Sequence, residues 1–274
     1  MSRRNTVLIG AFDGFFGGLT GLGGGAILVT FMVSLLGMSQ HKAHGTSLAV
    51  IFCLSIFAAI TYSLQGFFDL SIAVPVALGS ILGAVIGARL TAALPAGQLR
   101  RVFGAFLMFV SLSMLSRGVI EIGGPQVGTA FVGAPFWIAV GFVTGVVSGL
   151  MGIGGGMVTV PVMVLVAGLG QQQAQGVSLA VIPITSAVGA YTHYRMGNVE
   201  LGTAAIMGPS AIVTAIIASL VAGRIDPSWL TKIFGLVLLG FAFNFTFSKG
   251  RERAQATTTQ TPPAPSAGPS ARPS

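Results

Sequence analysis

GFFGGLTGLGGGAILVT, from Gly14 to Thr30, and GVVSGLMGIGGGMVTVP, from Gly145 to Pro161, decide how the rest of the chain is read. Each carries three consecutive glycines, Gly23-Gly24-Gly25 and Gly154-Gly155-Gly156, inside an otherwise apolar run. A mid-helix glycine costs about 1 kcal/mol relative to alanine, so a triplet should interrupt a helix. In lipid, interrupted backbone survives only where it is buried in protein or lines a cavity. Matching interruptions in two halves of a membrane chain point to a transporter's substrate site.

The composition places those stretches in a bilayer. Of 274 residues, 53% are hydrophobic and 7% charged, whereas a soluble domain carries about 25% charged residues. Apolar runs long enough to span a membrane as helices recur along the chain. The expected fold is therefore an all-α polytopic membrane protein. The net charge of +8 comes from basic residues scattered at the ends of apolar segments, which suits positive-inside orientation and not nucleic acid binding. The start, Met1-Ser2-Arg3-Arg4-Asn5, imitates a signal peptide. Its apolar stretch is too long and lacks a small-residue cleavage site, so it is read as mature protein. Cys53 is the only cysteine, which excludes an intramolecular disulfide.

The two glycine stretches belong to a repeat. Gly21 matches Gly152, and the offset of 131 residues continues without a gap: SLAVI at Ser47–Ile51 meets SLAVI at Ser178–Ile182, and Gly66 meets Gly197. The match covers about residues 8–116 against 139–247. The expected organisation is a first membrane repeat at 1–122, a linker at 123–131, a second membrane repeat at 132–248, and a disordered cytoplasmic tail at 249–274. That tail is rich in Thr, Pro, Ala and Ser and cannot bury enough apolar area to fold.

Each repeat holds four apolar segments, at about 6–37, 44–65, 70–94 and 99–120, then 132–168, 175–196, 200–223 and 229–248. The first of each set exceeds one span and is divided by its glycines. It is either a hairpin that dips into the membrane and returns, or one kinked crossing. With hairpins each repeat crosses three times, the halves are inverted, and eleven of the 14 basic residues share one side. With single crossings the split is eight against six. The positive-inside rule favours the inverted hairpins, with both termini cytoplasmic.

In the hairpin reading, Gly23, Gly24 and Gly25 and their counterparts Gly154, Gly155 and Gly156 form tips from which new helices start. Helix N-termini offer free N–H groups and a partial positive charge, the makings of an anion site. Gly14, Gly18, Gly145 and Gly149, at i,i+4 spacing, fit close helix packing instead. Ser47 and Ser178 sit in the shared GTSLAV and GVSLAV elements. They are read either as caps at the start of a helix or as hydroxyl ligands of an oxyanion. Thr46 is a weaker companion, because its counterpart Val177 has no hydroxyl.

Asp13 lies deep in an apolar run, and intramembrane acids are functional candidates by default. It would carry a coupling proton or pair with Arg3 or Arg4. His44 and His193 fall near segment ends, where a solvated or snorkelling role is expected. No enzyme is expected: the glycine run is followed neither by a P-loop Gly-Lys-Ser/Thr nor by strand–helix alternation. Three histidines, one cysteine and six acids make a multi-ligand metal centre hard to assemble, and no cofactor is expected.

The repeated pattern G-x-x-x-G-x-x-G-x-G-G-G, at Gly14–Gly25 and Gly145–Gly156, with Val160-Pro161 following in the second copy, resembles the TauE/SafE sulfite exporter family. The GxSLAV elements and the turns at Gly66 and Gly197 are similar too. The resemblance implies a bacterial inner-membrane permease for sulfite, sulfonates or related organosulfur anions. Thr30 departs from the pattern where the second repeat has Pro161, and Ser148 stands in place of Gly17, so the two tips are unequal. The expected function is a secondary transporter of such a small oxyanion, held at the midplane between the two breaks. A passive anion channel is the alternative.

Overall fold

The computed structural model describes residues 3–90, 96–116, 133–151 and 154–247. The expected linker at 123–131 and tail at 249–274 lie outside the described residues. Among those described there is no strand. The helices are α1 (Arg3–Thr20), α2 (Gly25–Leu36), α3 (Gln40–Leu64), α4 (Leu70–Leu90) and α5 (Ala96–Ser116). They are followed by α6 (Ala134–Met151), α7 (Gly156–Leu165), α8 (Gln171–Arg195), α9 (Leu201–Ala222) and α10 (Pro227–Phe247). Five of them, α3, α4, α8, α9 and α10, are long and apolar enough to cross a bilayer.

Both glycine triplets divide their segments as the helix penalty demands. The limbs are unequal, however: α1 has 18 residues and α2 has 12, about 27 and 18 Å long. Likewise α6 has 18 and α7 has 10. The polar residues Gln40 to Lys42 and Gln171 to Gln173 join their helices, so α3 and α8 begin four residues before the apolar runs do. Ser47 and Ser178 are consequently interior residues, each the eighth of its helix, and do not cap anything. The N-cap positions belong to Ser39 and Gly170.

Helix ends show which termini share a side. Arg3 and Thr6 on α1 line a cavity of about 400 Å³ with Glu200, Gly202, Thr203 and Ile206 at the start of α9. Lys42 near the start of α3 donates to Glu200 Oε1 at 3.4 Å, and the Glu200 N–H donates to Thr46 Oγ1 at 2.9 Å. The starts of α1, α3 and α9 thus meet at one end of the bundle. The segment α1–α2 must therefore turn back on itself, which is the hairpin arrangement. At the other end, Gln172 near the start of α8 donates from Nε2 to Ile225 O at 2.8 Å. Tyr62 near the end of α3 bonds Gln175 there. Hence α3 and α8 run antiparallel.

Glycine lets the first limbs come close to their neighbours. A Cβ on Gly10, Gly14 or Gly18 would strike the Met207, Ala211 or Ala215 carbonyl of α9. Gly141 and Gly145 of α6 meet the Val76 and Ser80 carbonyls of α4 in the same way. These contacts put α1 on α9 and α6 on α4, so each half packs against the other. The cores follow that exchange: one joins Ile9, Leu28, Met32 and Ile51 to Leu179, Met207, Ala211 and Ala215. The second joins Val76, Leu107 and Met114 to Val160, Val181 and Phe234. Large apolar side chains such as Phe109, Val102 and Leu82 face outward, as a lipid-facing surface requires.

Candidate anion site at the helix breaks

The first break runs from Gly21 to Gly24, with φ of 71° at Gly21, 76° at Gly23 and 83° at Gly24. The second repeats it, with φ of 79° at Gly154 and 83° at Gly155. Side-chain-bearing residues rarely adopt this left-handed region, so glycine is what permits the turn. Gly24 and Gly155 are the N-cap residues of α2 and α7, and among the described residues no side chain caps either helix. Their carbonyls accept from Ile27 and Leu28, and from Val158 and Thr159. A buried helix start without a cap leaves N–H groups that call for a partner.

Gly23 and Gly154 lie level with the middle of α3 and α8, while Gly21 lies against Gln175 nearer the start of α8. A Cβ on Gly23 would be 3.3 Å from Ile51 Cγ2 and 3.3 Å from Ile182 Cδ1; one on Gly154 would be 3.7 Å from Cγ2 of both. Ile51 and Ile182 are each the twelfth residue of a 25-residue helix. Gly21 through Gly25 and Gly154 through Gly156 are all buried. The two breaks therefore share the same pair of isoleucines at the centre of the bundle.

The polar residues around them differ in what they already bind. Ser178 Oγ donates to Gly21 O at 3.1 Å, which ties α8 to the first break. Ser47 Oγ turns to His44 O of its own helix at 3.3 Å. Thr46 is engaged by the Glu200 N–H some way from the breaks. Asp13 is fully buried, and among the described residues neither of its oxygens has a hydrogen-bond partner. The pairing with Arg3 or Arg4 does not form, because Asp13 sits ten residues into α1, on the face toward Gly24.

Sequence reading missed the groups contributed by the opposite halves. Tyr62 OH stands 2.8 Å from Gln175 Oε1 and 3.0 Å from Gly18 O. With one hydroxyl proton, Tyr62 serves both if the Gln175 amide turns so that its N–H donates to the phenol and the phenol donates to Gly18. At the matching positions near the other end stand His193 and His44. Among the described residues their Nδ1 atoms are buried without a partner, while both residues as a whole are half-buried, so one ring nitrogen of each is turned inward. Thr159 donates to Thr144 at 3.2 Å beside the second break. The only signal for Thr144 was its place opposite Asp13 in the repeat.

A bundle of apolar helices with two buried, uncapped helix starts at its centre is the architecture of a multi-pass membrane transporter. The chain belongs to the sulfite exporter TauE/SafE family, whose pattern matches residues 1–114 and 137–271. A probable membrane transporter protein of Bacillus subtilis, YunE, is 27% identical over 260 residues, covering 87% of this chain and 95% of that protein. A probable membrane transporter protein of Methanocaldococcus jannaschii is 27% identical over 247 residues, covering 85% and 91%. One from Xylella fastidiosa is 28% identical over 241 residues, covering 86% and 92%. No solved structure matches the chain.

Proposed function

We propose that the protein is a secondary transporter that moves a small sulfur-containing oxyanion, such as sulfite or an organosulfonate, across the bacterial inner membrane. The anion is held near the midplane between the N-termini of α2 and α7. Main-chain N–H groups of Gly23–Gly25 and Gly154–Gly156 do most of the binding, with Ser47, Ser178 and Thr46 as hydroxyl contributors when the helices rearrange. Asp13 carries a coupling proton. Both termini face the cytoplasm, the side that collects Arg3, Lys42 and Arg195. The family supports transport, and its name supplies the sulfite class.

One observation carries the reading: the glycines just before two buried helix starts without side-chain caps, Gly23 and Gly154, meet the same residues, Ile51 and Ile182, at the middle of α3 and α8. Such ends attract oxyanions through N–H groups and helix dipole together. Their burial is what an occluded stage of alternating access requires.

Flux into proteoliposomes tests it. Radiolabelled sulfite, thiosulfate, sulfoacetate and taurine are compared with carboxylates of similar size. Saturable uptake of a sulfur oxyanion, driven above equilibrium by a proton gradient, is the expected result. Uptake that a proton gradient never drives uphill would favour the passive channel. No flux of any sulfur anion by correctly inserted protein would overturn the proposal.

A further inference from the structure

Asp13 and Thr144 hold matching places in α1 and α6. Each meets the glycine that opens the next helix. A Cβ on Gly24 would run into the Asp13 carboxylate, and one on Gly155 would lie 2.8 Å from Thr144 Cγ2. Asp13 has no exposed surface, and among the described residues its two oxygens accept no hydrogen bond. The 12-residue helix α2 begins beside it without a side-chain cap. A helix start of this kind draws negative charge. The chain has thus set an acid of its own where a transported anion would be drawn, and only in one of the two halves.

Resting on the proposed function, we infer that the ionised Asp13 carboxylate is a resident competitor for the substrate oxyanion at the N-terminus of α2. An oxyanion occupies the first break only together with a proton that neutralises Asp13. Two negative charges a few ångströms apart in a water-poor site repel strongly. The proton settles on a carboxylate oxygen, and the resulting O–H donates to the incoming oxyanion. No other bond is made or broken, and one proton accompanies each anion. The second break, with uncharged Thr144 and Thr159, has no such competitor.

The other titratable groups around Asp13 are few. On α1 they are Arg3 and Arg4, while α2 and α9 carry none. Helix α3 carries His41, Lys42, His44, Cys53 and Tyr62, and α10 carries Lys232. None of these bonds the carboxylate.

The test is equilibrium binding of methanesulfonate and thiosulfate, whose charges do not change across the neutral range, to the full chain in detergent. Wild type should bind more tightly as pH falls, by about tenfold per pH unit where Asp13 is ionised, as one linked proton requires. Asp13→Asn should bind at alkaline pH with a flat profile. Asp13→Thr, which copies the second break, should do the same and serves if Asp13→Asn does not fold. Should neither variant fold, the slope is read in a chain whose His41, His44 and His193 are replaced by Gln; a slope that persists there supports the inference and a flat profile overturns it.

Flat binding by wild type, or loss of binding at every pH in a folded variant, would overturn the inference and with it the coupling role of Asp13, while sulfur-oxyanion transport itself would stand. Failure of wild type to bind either probe or any other sulfur oxyanion at any pH would overturn both.

Discussion

Gly24 lies so close to the Asp13 carboxylate that not even a methyl group fits between them. The same glycine has a φ of 83°, where an L-residue is strained by about 1–2 kcal/mol. Gly24→Ala should therefore lower the melting temperature and cut transport by about tenfold or more, because displacement of the carboxylate adds to the strain. Gly155→Ala has the same φ penalty, but its one close contact is with the Thr144 methyl, Ser148 Cβ and Thr144 O lying at 3.4 and 3.5 Å. It should be the milder change, and Thr144→Ser should relieve part of it. Equal losses in the two alanine variants, read by flux and thermal melting, would contradict this.

The contact of α1 with α9 rests on small residues. Gly14→Val would drive its side chain into the Ala211 carbonyl, an overpacking that costs about 1–3 kcal/mol. Gly208→Ala on α9 meets nothing within 4 Å and should leave folding and flux intact. Monodispersity and melting temperature in detergent compare the two.

Tyr62 closes the end of α3 against α8 and α1. Tyr62→Phe removes the hydroxyl shared by Gln175 and Gly18, leaving buried polar groups unpaired at a cost of about 1–3 kcal/mol. The expected result is a lower melting temperature. Thr46→Val should lose about 1 kcal/mol or less, since it deletes one acceptor for the Glu200 N–H and the matching residue is already Val177. An unchanged Tyr62→Phe melting curve would show that the shared hydroxyl contributes nothing.

Asp226 caps α10, accepting from the Ser228 hydroxyl at 2.5 Å and the Ser228 N–H at 2.8 Å. Chiefly the Ser228 hydroxyl, then its N–H, hold the carboxyl below the usual carboxylate range. A carboxyl depressed in the folded state adds stability above its unfolded pKa, about 3.9, and loses it as pH falls through the lower folded value. Asp226→Ala should therefore melt slightly below wild type at neutral pH, and the gap should close as the medium is acidified past that range. A gap that persists in strong acid would point to a cause other than charge.

The sequence made the breaks legible because three glycines in an apolar run have no other cheap explanation. It also supported the hairpin through the placement of Arg and Lys, and the Lys42–Glu200 contact supports the same end-sharing. What it hid depends on the other half of the chain. Tyr62 and Gln175 are 113 residues apart, and Thr46 and Glu200 are 154 apart, so neither pairing leaves a local trace. Ser47 and Ser178 looked like helix starts only because hydropathy fades before the helix does. The asymmetry of the breaks was written in Asp13 against Thr144, but its meaning needed Gly24 beside the carboxylate.

The most direct measurement is the position of a heavy oxyanion in the protein. Crystals or cryo-EM grids prepared with selenite, a sulfite analogue, should show density, and in crystals anomalous scattering, beside the main-chain nitrogens of Gly24, Gly25, Gly155 or Gly156, at the level of Ile51 and Ile182. Selenite found only at the water boundary, in protein that transports it, would contradict the account.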